Sequence, residues 1–176
     1  RGVVVGYDCR HNSEKFAQMT AGVLAANGIQ VYLYDRLTPT NLVPFAIRKM
    51  GAFAGVMITS SHNPKVYNGY KVFWSNGAQI ISPVDAQVAS RMAKLPDIGN
   101  KAMTVDEGVN RGLIQILSDD MINAYTDWVV KSAVHTGATD VDIVYTPLGG
   151  TGWACAKASF DRAGFKKVRV VEEEKI

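Results

Sequence analysis

The sequence predicts an α/β fold: a mixed, mainly parallel sheet sandwiched by helices, followed by the start of a second, similar α/β unit. Short apolar runs rich in β-branched residues, such as Val3-Val4-Val5, alternate with segments whose apolar residues recur at helical spacing. Unbroken apolar runs are typical of parallel strands buried on both faces, and the β-α-β-α-β alternation indicates a wound sheet. Hydrophobic residues make up 47% of the 176 residues and charged residues 20%, which is enough apolar material for a core and argues against a disordered chain.

Local signals predict the first three strands and two helices. Asn12 or Ser13 is expected to cap the first helix with its side-chain oxygen. Gly28 and Gly51 are expected to end the first and second helices, because glycine tolerates a positive φ. The expected elements are a strand at 2–8, a helix between 13 and 27, a strand at 29–34, a helix at 42–50 and a strand at 52–59.

An antiparallel hairpin is expected next, because Asn76-Gly77 lies between two apolar runs. Pro83 then favours the first turn of a helix. The expected elements are strands at 69–74 and 78–81, a helix from 83 to about 94, a polar surface excursion at 96–112 and an amphipathic helix at 119–134.

A further βαβ pattern opens at Asp140. Its expected elements are a strand at 141–146, a Gly-rich turn at 147–153, a helix at 154–164 and a strand at 167–171. We therefore place a first domain at 1–136 and a partial second domain at 137–176. Because the chain does not begin with Met and opens almost directly on a strand, we expect it to belong to a longer natural chain.

Composition excludes several classes of function. Lys and Arg number 19 against 16 Asp and Glu, and the formal net charge of +3 is too small to indicate a nucleic-acid partner. No apolar run approaches the ~18 residues of a membrane-spanning helix, so no membrane partner is expected. Cys9 and Cys155 lie far apart without zinc-ligand spacing, and two isolated cysteines fit a reducing cytoplasm.

The candidate chemistry lies in the loop 59–64, whose sequence is Thr-Ser-Ser-His-Asn-Pro. It follows a predicted buried strand, and ligands of α/β proteins usually bind at the carboxyl ends of strands. Pro64 restricts the backbone, so Ser61 is expected at the loop tip with His62 beside it, while Lys71 on the next strand could point back at the loop. A hydroxyl, an imidazole and an ammonium that converge suit phosphoryl chemistry, because the serine can hold a phosphoryl group and the cation offsets charge on its oxygens.

Two other interpretations stay open at this point. In the first, His62 and Lys71 face water and the loop residues only form an ordinary turn. The chain is then a non-catalytic binding module on the same fold. The second interpretation is a serine hydrolase. Adjacent residues in an extended loop point apart, however, so His62 is poorly placed as a base for Ser61. No Gly-x-Ser-x-Gly elbow accompanies the serine.

Arg10 also has two interpretations. Asp8 and Arg10 are two residues apart and share one side of an extended segment. Arg10 is therefore either a substrate-binding arginine at the rim of the site or half of a structural ion pair, and the residues favour the ion pair. Residues 149–152, Gly-Gly-Thr-Gly, lack the spacing of a phosphate-binding loop and favour a tight strand-to-helix turn.

The stretch 58–64, Ile-Thr-Ser-Ser-His-Asn-Pro, closely resembles the active-site signature of the α-D-phosphohexomutase family, which includes phosphoglucomutases, phosphomannomutases and phosphopentomutases. The resemblance continues through Asn-Gly-Tyr-Lys-Val at 68–72 and Asn-Gly-Ala-Gln-Ile at 76–80. This long form is most similar to the phosphoglucomutase branch that includes phosphopentomutases. Three further stretches match in the family's order, at 6–10, 37–40 and 144–152.

The resemblance implies an isomerase of the intramolecular phosphotransferase type. It would interconvert a sugar 1-phosphate with a 6-phosphate, or with a pentose 5-phosphate, through a phosphoserine at Ser61 and a sugar bisphosphate that also serves as activator. It further implies a supporting role for His62, and for Lys71 a contact with the transferring phosphoryl group and help in proton transfer. It implies Mg²⁺ as cofactor, to which Ser61 would contribute a phosphate oxygen.

Several parts of the family's machinery are absent from these residues. They are the Asp-x-Asp-x-Asp metal loop and the sugar- and phosphate-binding loops of the C-terminal domains. We expect those domains to be missing parts of the same protein, and we expect this piece alone to be inactive as a mutase. The acidic run 172–174 is expected to be a solvated tail rather than a metal site.

Overall fold

A five-stranded sheet forms the centre of the computed structural model, which describes residues 1–95, 101–134 and 137–175. Its strands are β1 (Val3–Tyr7), β2 (Val31–Tyr34), β3 (Ala54–Ile58), β4 (Tyr70–Trp74) and β5 (Ile114–Leu117). The strand order is β4-β3-β1-β2-β5, and every neighbouring pair is parallel except β3 with β4. The predicted mixed, mainly parallel sheet is therefore confirmed.

Helices cover both faces of this sheet. They are α1 (Ser13–Ala26), α2 (Leu42–Met50), α4 (Val105–Asn110) and α5 (Asp119–Lys131), whereas α3 (Val84–Met92) follows β4 and buries none of its residues. Successive side chains of a strand point to opposite faces, so Val3 and Val5 pack on the side of α1 and α4, while Val4 packs on the side of α2 and α5. The unbroken valine run of β1 therefore fills two apolar layers at once. Within the described ranges, no helix combines the length and the apolar character needed to cross a bilayer.

The segment predicted as a surface excursion at 96–112 is mostly exposed where the structure describes it, but the helix α4 within it was not predicted. Thr104 caps α4, because its hydroxyl oxygen accepts a hydrogen bond of 3.1 Å from the Glu107 N–H. The chain then forms β5, which pairs with β2 at the edge of the sheet and was missed. The Thr-x-x-Glu spacing is a capping signal that could have indicated this helix. Residues 96–100 lie outside the described residues.

The predicted return strand at 78–81 forms only in part: the Trp74 N–H donates to the Ala78 carbonyl at 2.8 Å and the Ile80 N–H to the Val72 carbonyl at 2.9 Å. One isolated antiparallel bridge also joins Phe73 and Gln79. The predicted turn itself forms, because the Gly77 N–H donates to the Trp74 carbonyl at 2.9 Å and Gly77 adopts a φ of +84°. The edge of the sheet therefore carries a tight turn with little strand beyond it.

The residues after 137 form a second βαβ unit, as predicted. It consists of β6 (Ile143–Tyr145), α6 (Trp153–Ala163) and β7 (Val168–Val170), and its two strands are parallel. Helix α6 packs against α5, and Cys155 is buried in the apolar cluster on the α2 side. The Arg162 Nε lies 3.1 Å from a carboxylate oxygen of Asp127. The second unit is thus joined to the first by helix packing and an ion pair.

Candidate active site

The predicted site lies at the carboxyl edge of the large sheet, where β1 and β3 end side by side. The Asp8 N–H donates to the Ile58 carbonyl at 3.2 Å, so the segments that follow the two strands leave the sheet together. These segments line one cavity of about 510 Å³. The structure brings three of the predicted site residues to this cavity, namely Ser61, His62 and Arg10.

Ser61 is exposed and held in a tight turn. It adopts a left-handed backbone with a φ of +57°, which costs a residue other than glycine about 1–3 kcal/mol. The Ser61 N–H donates to the Thr59 hydroxyl at 3.0 Å, and the Asn63 N–H donates to the Ser60 carbonyl at 3.1 Å. The surrounding structure therefore determines a strained conformation at the residue that carries the predicted chemistry.

Arg10 anchors the serine loop, which we define as residues 59–69 between β3 and β4, through main-chain oxygens. Its guanidinium donates to the carbonyl of Ser61, and to those of Asn63 at 2.6 Å, Pro64 at 2.9 Å and Tyr67 at 3.2 Å. Its side chain is only 8% exposed. A planar fork of five N–H donors suits this set of acceptors. The structural interpretation of Arg10 is therefore supported, and a substrate contact by Arg10 stays a prediction.

Asp8 orients Arg10 from the end of β1. Its Oδ2 accepts from the Arg10 Nε at 2.8 Å, and its Oδ1 accepts from the Ser13 hydroxyl at 2.8 Å. The Asn68 side chain donates to the Ser13 oxygen at 2.9 Å. The predicted side-chain cap by Asn12 or Ser13 is wrong, because the Ser13 hydroxyl is engaged in this network and Asn12 has a φ of +63°. The network ties the first turn of α1 to both ends of the serine loop.

His62 borders the cavity and is exposed. In the described part of the chain, the imidazole has no hydrogen-bonded carboxylate and no hydrogen bond to Ser61. A serine hydrolase needs a base that contacts the serine and is itself oriented by a third group. The geometry therefore gives the hydrolase alternative no support.

Lys71 lies beside the cavity and not in its wall. It pairs across the ladder with Met57, and Met57 lines the cavity. Paired residues of neighbouring strands lie on the same face of a sheet, so Lys71 is half-buried on the cavity side. Lys65, which the sequence analysis did not single out, does line the cavity. Its place directly after Pro64 in the serine loop was the available signal.

The Gly-rich turn between β6 and α6 forms the opposite wall. Residues 148–151 line the same cavity as Ser61, and Gly149 has a φ of +66°. This agrees with the tight turn predicted there, although its place in the cavity was not foreseen. The Cys9 thiol donates to the Gly149 carbonyl at 3.2 Å and so joins the two walls. Desolvation, and then the charge of Asp8, raise the pKa of the Cys9 thiol.

The acidic run at the end of the second unit is only partly a solvated tail. Glu172–Glu174 form a short 3-10 turn, in which the Glu174 carboxylate accepts from the Thr146 hydroxyl at 2.7 Å. The Glu174 carbonyl accepts from the Gly149 N–H at 3.0 Å. The prediction of a solvated tail fits Glu172 and Glu173, which are exposed, and is wrong for Glu174, which supports the Gly-rich wall of the cavity.

The side chains present do not form a magnesium site. Within the described ranges, no group of three or more His, Cys, Asp or Glu side chains could hold a metal ion. A phosphate on Ser61 would be a single ligand, and Mg²⁺ needs several oxygen ligands in near-octahedral geometry.

The structure defines an α/β domain with a wound, mainly parallel sheet and an exposed serine turn that follows a central strand at the carboxyl edge. The comparisons with known proteins identify the family of this α/β domain. A family model described as "Phosphoglucomutase/phosphomannomutase, alpha/beta/alpha domain I" matches residues 1–97. The chain therefore belongs to the phosphoglucomutase/phosphomannomutase family, as the resemblance predicted.

Curated relatives carry phosphomutase names. A "Probable phosphoribomutase" of Schizosaccharomyces pombe is 53% identical over 154 residues, which is 86% of this chain and 26% of that protein. A "Glucose 1,6-bisphosphate synthase" and a "Phosphopentomutase" of Homo sapiens are 36% and 33% identical, each over 99% of this chain and 30% of the relative. The chain thus spans about a quarter to a third of the length of these relatives.

Solved structures show the same fold. The crystal structure of a "putative phosphomannomutase" from Thermus thermophilus matches with a TM-score of 0.80 and 28% identity. The match covers 99% of this chain and 38% of that one. Both sheets of the present chain therefore belong to an architecture that recurs in a longer protein.

Proposed function

We propose that Ser61 carries the phosphoryl group of a phosphosugar mutase. The observation that carries the proposal is the exposed, positive-φ turn of Ser61, which Arg10 holds open to a cavity at the carboxyl edge of the sheet. The names of the relatives, which include phosphoribomutase and phosphopentomutase, support a phosphorylated sugar as substrate. The particular sugar follows from parts of the protein beyond these residues.

The reaction consists of two balanced transfers. In the first, a hydroxyl oxygen of the sugar phosphate attacks the phosphorus of phospho-Ser61, the bond from phosphorus to Ser61 Oγ breaks, and a bond from phosphorus to the sugar oxygen forms. The hydroxyl proton ends on Ser61 Oγ, so the products are a free serine and a sugar bisphosphate. In the second, Ser61 Oγ takes the other phosphoryl group and its proton returns to the sugar oxygen. The net result is an isomerisation that restores the phosphoserine.

Charge is the main obstacle to these transfers. A phosphoserine carries about −1.5 to −2 charges at neutral pH, and the approaching sugar phosphate is also an anion. Lys65 in the cavity wall and Lys71 beside it supply positive charge, and both have flexible stems that can follow a moving phosphoryl group. His62 borders the same cavity, which supports a role for its imidazole as a hydrogen-bond donor to a phosphate oxygen. Arg10 acts as a positioning residue through the loop carbonyls.

The remaining groups would come from other domains of a longer protein. The chain spans only 26–38% of the relatives that it matches, and its described residues do not form a metal site. We therefore propose that the Mg²⁺ ligands other than a phosphate on Ser61, and the sugar-binding groups, lie outside this chain. The isolated chain is then inactive as a mutase.

The proposal is tested on the complete protein with Ser61→Ala. After incubation with a sugar bisphosphate as activator, the unaltered protein should gain the mass of one phosphoryl group, whereas Ser61→Ala should gain none and lose mutase turnover. Ser60→Ala is the matched control, because it removes the neighbouring hydroxyl and should leave the phosphoenzyme intact. Normal turnover by Ser61→Ala would refute the mechanism, and an unaltered protein without phosphoenzyme would favour a non-catalytic binding module.

A further inference from the structure

A second cavity, of about 800 Å³, lies between α2 and α5. This volume falls within the range of about 300–1,000 Å³ that small-molecule sites occupy. Its walls combine aromatic rings with cationic side chains, which are Phe45, Tyr125, Trp128, Arg48, Lys49 and Lys131. We call this cavity the α2–α5 groove.

The α2–α5 groove has one basic end, far from the serine loop. Strands β2 and β5 are parallel, and α2 and α5 follow them, so the two helices run in the same direction and end at the amino edge of the sheet. Arg48 and Lys49 lie in the last turn of α2, and Lys131 is the last residue of α5. The cations therefore gather at the edge of the sheet opposite to the one that carries Ser61.

The aromatic part of the groove is a cluster of three rings inclined to one another, of which Trp128 is the most exposed to the groove. Trp128 is 55% exposed, although it is a large ring of the kind that usually packs inward. Phe45 supports it at a ring-centroid distance of 5.9 Å and packs edge-on against Tyr125 at 5.2 Å. An exposed indole held by two other rings offers a face for stacking without much loss of side-chain freedom.

The charges of the groove favour an anion. None of the ion pairs in the described part of the chain involves Arg48, Lys49 or Lys131. Asp127, which also lines the groove, is engaged by Arg162 at 3.1 Å. Three cations therefore face the groove against one carboxylate that already has a partner.

Neutral polar groups complete the lining. The Asn41 amide also lines the groove and makes no side-chain cap to α2. An amide offers both a donor and an acceptor, which is the pattern that the edge of a nucleobase presents. A sugar phosphate would match the cations but would leave the aromatic surface without a flat partner.

We propose that the α2–α5 groove binds a nucleotide, with the base stacked on Trp128 and the phosphates at the cationic end. A nucleotide joins a flat ring to a dense negative charge in one molecule, which is the combination that the walls present. The Asn41 amide then pairs with the edge of the base. This site is distinct from the serine cavity and does not depend on the function proposed there.

Calorimetric titration of the 176-residue chain with ADP, adenosine and pyrophosphate tests the proposal. ADP should bind at least 10-fold more tightly than either part alone, and its affinity should fall with added salt. Trp128→Leu should weaken ADP binding roughly 5- to 150-fold, the range of a base–aromatic stack. Lys131→Gln should weaken it and reduce the salt dependence. The matched controls Trp74→Leu and Lys101→Gln change the same residue types outside the groove and should leave the affinity unchanged.

Four results would overturn the proposal. The first is that ADP does not bind at millimolar concentration although the circular dichroism of the chain is native. The second is that pyrophosphate binds as tightly as ADP. The third is that the control variants lose as much affinity as Trp128→Leu. The fourth is a concentration-dependent dimer that Trp128→Leu abolishes, because a second copy of the chain would then occupy the groove.

Discussion

Arg10→Ala removes the cation beside Asp8 together with the donor for four loop carbonyls. The two side chains are only 8% and 13% exposed, so the substitution leaves a nearly buried carboxylate without its partner. Removing one member of a buried pair costs about 3–5 kcal/mol. The hydrogen bonds from the Ser13 hydroxyl and the backbone N–H of residue 10 to Asp8 survive, and water can reach the carbonyls of the exposed loop. We therefore expect a loss near the lower limit, about 3 kcal/mol of the free energy of unfolding.

Urea denaturation followed by circular dichroism measures this loss, and a melting curve should show a decrease in Tm of about 6–12 °C. Arg111→Ala is the matched control, because Arg111 forms an i,i+4 pair with Glu107 in which both side chains are more than half exposed; it should cost less than about 0.5 kcal/mol. Asp8→Asn combined with Arg10→Ala should cost less than the sum of the two single changes. A cost for Arg10→Ala no larger than that for Arg111→Ala would refute the reasoning.

Three further predictions concern the loop, its neighbour strand and the core. In the complete protein, Lys71→Ala should slow single-turnover phosphoryl transfer and leave the Tm nearly unchanged, and an unaltered rate would exclude a role in transfer. Gly69→Ala should cost about 1–3 kcal/mol or more of the free energy of unfolding, because a Cβ at residue 69 would lie 2.6 Å from the Thr59 carbonyl oxygen. Gly137→Ala is the control in the same urea titration, because a Cβ at residue 137 would meet no atom within 4 Å. Burial raises the pKa of Tyr7 to about 12. Because an unfolded tyrosine ionises near pH 10, the free energy of unfolding should fall as the pH rises from about 10 to 12. Tyr7→Phe should reduce that fall in urea titrations across this pH range.

Most of the large sheet could be predicted because its central strands carry their own signal. β1 and β3 are unbroken apolar runs, and Gly51 ends α2 with a φ of +63°, as glycine after a helix commonly does. The edge was harder to predict. β5 is four residues long and half exposed, and it depends on pairing with β2, so its local sequence decides little. The segment 78–81 shows the opposite error, because its apolar residues suggested a full strand where one bridge and two backbone hydrogen bonds to β4 form.

The position of the serine loop could be predicted from the strand that precedes it, but the contacts that hold the loop could not. Arg10 meets Ser61 and Tyr67 across more than 50 residues of chain, and only the adjacency of β1 and β3 brings them together. The Gly-rich wall at 148–151 comes from the second sheet, so its place in the cavity depends on how α6 packs against α5. Lys71 was placed on the correct strand, and its position opposite Met57 follows from the antiparallel register of β3 and β4.

Arg10 holds the backbone of the serine loop by contacts that do not depend on the side chains of the loop. Every acceptor that the guanidinium uses in the loop is a peptide oxygen, and each residue type offers one. The side chains at His62, Asn63 and Lys65 can therefore be exchanged without removing the anchor. Evolution or design could therefore alter what the loop recognises while one arginine in the segment after β1 preserves the shape of the loop.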